Sequence, residues 1–114
     1  QDLIMATFGE FLKREREKKE MNQSDFGQNI GIIMTDISKI ENGRKKFPFA
    51  NLDKLSSFIG KDVDELKTLF VADILVDEVN KYDCSDKVFS VAEEQSKYLE
   101  QECKTRQFQL LRYE

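Results

Sequence analysis

The chain has 114 residues, 39% hydrophobic and 35% charged, with one proline and five glycines, which is room for one compact domain and an appendage but not for two full cores. No histidine is present and the two cysteines, Cys84 and Cys103, lie far apart, so histidine-based catalysis, a zinc knuckle and a disulfide scaffold are all disfavoured, and a reduced, cytoplasmic setting is expected. No apolar run approaches the roughly 18 residues that mark a membrane span.

The net charge of -4 hides a gradient: residues 1–60 carry ten basic and nine acidic side chains, residues 61–114 eight basic and thirteen acidic. Local charge, not the total, decides what each half can bind. Residues 1–6 read as a tag remnant or N-terminal arm, with Met5 as a native start and no leader of the secretory kind. Helical periodicity then begins. Phe8, Phe11 and Leu12 recur on one face up to about Glu20, and Thr7 with Glu10 has capping-box spacing. A second helix spans Gln23 to Ile30 with Phe26 and Ile30 one turn apart, closed by Gly31. A third runs from Met34 to Glu41 with Ile37 and Ile40 inward, closed by Asn42-Gly43 and followed by the basic loop Arg44-Lys45-Lys46. A fourth is expected from about Asn51 to Ile59, and a fifth from the cap Asp62 to about Tyr82. The last stretch, from Lys87 to about Arg112, has an apolar stripe of Val88, Val91, Ala92, Tyr98, Leu99, Cys103, Leu110 and Leu111 interrupted by Gln95 and Arg106.

Residues 23–42 carry the functional signal. Two helices of about eight residues, each about 12 Å long, pack closely only where a side chain at the crossing is very small, and Gly27 supplies this. Phe26, Ile30, Ile32, Ile37 and Ile40 form the shared apolar side, leaving Met34, Thr35, Ser38 and Lys39 outward. Such a helix-turn-helix leaves its second helix free to enter a major groove.

With Phe11-Leu12-Lys13-Arg14 and Arg16, then Asn22-Gln23 and Gly31, and above all Ile37-Ser38-Lys39-Ile40-Glu41-Asn42-Gly43-Arg44, residues 7–70 resemble the phage-repressor/Cro-like (XRE) family of transcriptional regulators. A fifth helix followed by a helical extension, residues 71–114, is an arrangement that resembles the controller proteins of restriction–modification systems. The resemblance implies an all-α fold: a five-helix lambda-repressor-like DNA-binding domain followed by helical residues for dimerisation or partner binding. It also implies roles. Gln23 contacts phosphate; Thr35 and Lys39, with Met34 and Ser38 beside them, read bases; Asn42, Arg44, Lys45 and Lys46 clamp the backbone; Arg16 and Glu41 form a structural pair. Gly27 stands where the family has alanine, a small-for-small change expected to be tolerated. Ile33 replaces the usual Ser or Thr cap, Met34 a polar reader, and Asp36 sits where it repels phosphate unless it accepts from cytosine N4, so recognition is expected to lean on thymine methyls and DNA shape.

The partner expected is double-stranded DNA read by a homodimer on a palindrome, through Phe70, Val71, Ile74, Leu75 and Val79 or through Val88, Val91 and Leu99; the same surfaces packed on their own domain are the alternative. An antitoxin-like or purely protein-binding module is the rival reading. No cofactor, metal, membrane or small-molecule substrate is indicated, and an enzyme is disfavoured.

Overall fold

The computed structural model describes residues 7–112; residues 1–6, read above as a remnant or arm, and the side chains of Leu110 and Leu111 lie outside the described residues. Six α-helices follow in order: α1 (Phe8–Lys18), α2 (Gln23–Ile30), α3 (Met34–Glu41), α4 (Leu52–Ile59), α5 (Val63–Lys81) and α6 (Lys87–Arg112). A 3-10 turn, Phe49–Asn51, precedes α4. The fourth helix therefore starts one residue later than the periodicity suggests, because Asn51 belongs to the tighter turn that follows Pro48. The backbone divides into two compact units, one ending at Leu75 and the other beginning at Val76.

Local chemistry sets the ends of α1. The Thr7 hydroxyl accepts the Glu10 amide at 3.2 Å, and the Glu10 carboxylate accepts the Thr7 amide at 3.1 Å. That backbone hydrogen bond holds the Glu10 carboxyl below its ordinary pKa. A third group completes the cap from a distance: the Asp73 carboxylate on α5 accepts the Phe8 amide at 2.9 Å. An acid at the positive end of α1 suits the helix dipole, and the bond ties Asp73 of α5 to the start of α1.

The core of this unit takes Phe8, Phe11 and Leu12 from α1, Phe26 and Ile30 from α2, Ile37 and Ile40 from α3, Leu52 and Leu55 from α4, and Leu66 and Leu69 from α5. Ile32 and Phe47 enter from the connections. Phe47 was not expected there; its ring lies 5.1 Å from Phe8 and makes the end of the basic loop a core anchor. Phe70 packs edge-on to Phe8 and also touches Phe49, so part of this candidate dimer residue serves its own module.

Two glycines let helices approach. A Cβ on Gly27 would sit 2.2 Å from the Ile32 carbonyl oxygen and 3.0 Å from Ile37. On Gly9 it would lie 2.3 Å from the Ile40 carbonyl oxygen. At both positions backbone, not the end of a flexible side chain, stands nearest to the added carbon. The end of α2 is fastened by Asn51, whose amide donates to the Ile30 carbonyl at 2.8 Å. Asn51→Ala leaves that carbonyl without its side-chain donor and is expected to cost about 1–3 kcal/mol, read as a lower urea midpoint at unchanged slope.

Candidate nucleic-acid interface

The surface of α3 follows from its period. Ile37 and Ile40 are buried, so Thr35 and Lys39, one turn apart, point away from the core, with Met34 exposed and Ser38 half-buried. All four expected base-reading residues thus share the accessible side of one helix. Ile33 caps that helix with no side-chain hydrogen bond. It and Met34 are 67% and 52% exposed, a pair of large apolar side chains held in water at the start of α3.

Glu41, at the other end of α3, collects three donors. Arg16 Nε and Nη2 reach its two oxygens at 2.7 and 3.0 Å, and Gln23 Nε2 donates at 3.1 Å. The remaining Arg16 nitrogen, Nη1, donates to the Met21 carbonyl at 3.0 Å. The hydrogen bond to Glu41 raises the Arg16 pKa above its already high ordinary value, so the guanidinium keeps its charge. With side chains only 14% and 3% exposed, the pair fixes the end of α1, the α1–α2 link, the start of α2 and the end of α3 to one another. The sequence pattern shows the Arg16–Glu41 pair but not the part of Gln23: its amide N–H faces inward to Glu41, and only the rest of the group is left for a phosphate.

The basic loop starts from a defined turn. Gly43 is left-handed, with φ of 77°, its amide donating to Ile40 and that of Arg44 to Lys39 at 3.1 and 2.8 Å. This double bond pattern ends α3 and throws Arg44, Lys45 and Lys46 out beside the Asn42 end of the helix, all of them exposed. Lys45 Nζ lies 2.9 Å from the Asp36 carboxylate. Asp36 is therefore paired with a cation of the loop, which offsets its charge beside the outward face of α3. Among the described residues no cluster of His, Cys, Asp and Glu could hold a metal. Cys84 and Cys103 are free and exposed. No helix of the described residues is long and apolar enough to cross a membrane.

A family model described as helix-turn-helix matches residues 12–66, the span from the middle of α1 into α5. Control protein C.MunI from a Mycoplasma species is 38% identical over 64 residues, which make up 55% of this chain and 86% of that protein. The outward face of α3, the bridged Arg16–Glu41 pair and these matches agree. The chain belongs to the phage-repressor/Cro-like, XRE-type helix-turn-helix family of DNA-binding transcriptional regulators.

Proposed function

We propose that the protein acts as a homodimer that binds a palindromic operator and controls its own transcription, as a control protein of the restriction–modification kind. The observation that carries the reading is the accessible face of Met34, Thr35, Ser38 and Lys39 on α3, flanked by Arg44, Lys45 and Lys46. Lysine at position 39 reaches guanine O6 or N7, while Ile33, Met34 and Thr35 suit thymine methyls. Gln23, Asn42 and the loop position the helix on phosphates. One module of this size buries only roughly 600–1,000 Å² on DNA, so two copies are needed, with half-sites about 34–36 Å apart. Val71 and Leu75 on α5, each 46% exposed, and Val91 and Leu99 on α6, at 52% and 64%, leave apolar surface for that association. Ile74, Val79 and Val88 are half-buried.

The experiment is fluorescence anisotropy with duplex from the region upstream of the protein's own gene, against scrambled duplex and across salt concentrations. Preferential retention of the upstream duplex supports the reading; no retention of either at modest ionic strength overturns it. Lys39→Ala is expected to relax base preference at one operator position by about 1–3 kcal/mol, whereas Lys45→Ala weakens all duplexes alike and lowers the salt slope by about one. Because Lys45 also covers Asp36, Asp36→Asn in the Lys45→Ala background is expected to restore part of the lost affinity. Equal effects of Lys39→Ala and Lys45→Ala on specificity would show that no such division of labour exists.

A further inference from the structure

α6 lies beyond the residues matched by the helix-turn-helix model. Its outer-face charges satisfy one another along the helix, Lys97 with Glu93 at 3.7 Å and Lys104 with Glu100 at 3.4 Å. Another face is left over. At 3.6 residues per turn, Val88, Ala92, Gln95, Leu99, Cys103 and Arg106 fall within an arc of about 80°. Val88 and Leu99 stand one eleven-residue repeat apart, which keeps the stripe close to parallel with the axis of a nearly straight helix. The spacing is the same read in either direction from Leu99, the most exposed aliphatic side chain of the stripe at 64%. In a two-fold contact residue i of one copy meets residue j of the other and j meets i, so this spacing lets the stripe fall in register on its own copy.

We propose that α6 pairs antiparallel with α6 of a second copy, crossing at Leu99, so that Ala92 faces Arg106 and Gln95 faces Cys103. The inference rests on the homodimer reading above and specifies the contact. Parallel pairing would stack Arg106 on Arg106 and Glu102 on Glu102 along the seam. Antiparallel pairing sets the two Arg106 residues about 21 Å apart along the axis. It lays each long arginine stem across Ala92, the smallest side chain of the stripe, past which the charged head reaches water. Glu102, half-buried on the flank of the stripe, then meets Ser96 rather than its own copy. The helix dipoles also oppose one another favourably.

The test is cross-linking of the full chain in the absence of DNA. Cys84→Ser leaves Cys103 as the one thiol; antiparallel pairing separates the two Cys103 positions by about 12 Å along the axis, beyond the reach of a disulfide, which needs Cα atoms within about 7 Å. Mild oxidation is therefore expected to yield no covalent dimer from this protein. Adding Gln95→Cys is expected to convert it to a covalent dimer whose tryptic map joins position 95 of one copy to Cys103 of the other. Within one helix the same two positions are too far apart to close. A Cys103–Cys103 link, or the absence of any covalent dimer from the double variant, overturns the proposal, whether sedimentation then shows a monomer or a dimer. Anisotropy with the upstream duplex is run on the same proteins. Loss of DNA binding in a chain that still forms the 95–103 link counts against the operator reading alone.

Discussion

Glu41→Ala is expected to lower the stability of the helix-turn-helix unit by about 3–5 kcal/mol, because it leaves the Arg16 guanidinium and the Gln23 amide inside without their common acceptor. The bridged pair itself adds less than that, since both charges lost their hydration on folding; the large figure is the cost of stranding one of them. For a unit of this size about 1 kcal/mol moves Tm by about 4–8 °C, so the melting temperature should fall by more than about 12 °C. DNA affinity should fall beyond what the folded fraction explains, since Glu41 closes the helix that carries Lys39. Arg16→Met together with Glu41→Leu provides the contrast. It removes both charges, and Tm should recover part of the loss if stranding is the cause. A double variant as unstable as Glu41→Ala alone would show that the pair acts through its geometry rather than its charge.

Gly27→Ala is expected to destabilise the unit by about 1–3 kcal/mol, although alanine is the better helix former by about 1 kcal/mol. The steric effect wins because the added carbon would meet the Ile32 carbonyl oxygen at 2.2 Å. That oxygen belongs to the turn in which the Ile32 amide donates to Gly27 at 2.8 Å. Relief requires α2 to move away from the turn and from Ile37, shifting the start of α3 with it. Thermal unfolding and amide exchange in residues 30–40 check this. An unchanged or raised Tm would show that the turn opens at no cost.

The helices were legible because their signals are local. Thr7 and Glu10, the glycines that close α2 and α4, and apolar residues one turn apart mark the elements within a few positions. The observed bounds of α2 and α3, Gln23–Ile30 and Met34–Glu41, coincide with those read from the pattern. The outward face of α3 was legible for the same reason: once Ile37 and Ile40 turn in, Thr35 and Lys39 cannot. What the pattern hid depends on partners distant in sequence. Asp73 caps a helix that begins 65 residues earlier, and Asn51 fastens one that ends 21 residues earlier. Nothing next to either in the chain advertises it. Phe47 sat among basic and turn residues and read as loop. Gly9 offered a usable clue: glycine inside a helix costs about 1 kcal/mol relative to alanine, which makes close backbone approach the first explanation to try. The Lys45–Asp36 ion pair joins α3 to the loop after it, so a carboxylate judged alone looked more hostile to DNA than its partner leaves it.

The loop after α3 is tied at both ends, by the left-handed turn at Gly43 and by Phe47 seated against Phe8. Three cations therefore hang from a short span whose backbone was ordered when the protein folded. Little conformational entropy remains to be lost when a duplex arrives. Association should accordingly proceed without a slow ordering step, its rate set by electrostatic steering and diffusion and falling steeply as salt is added.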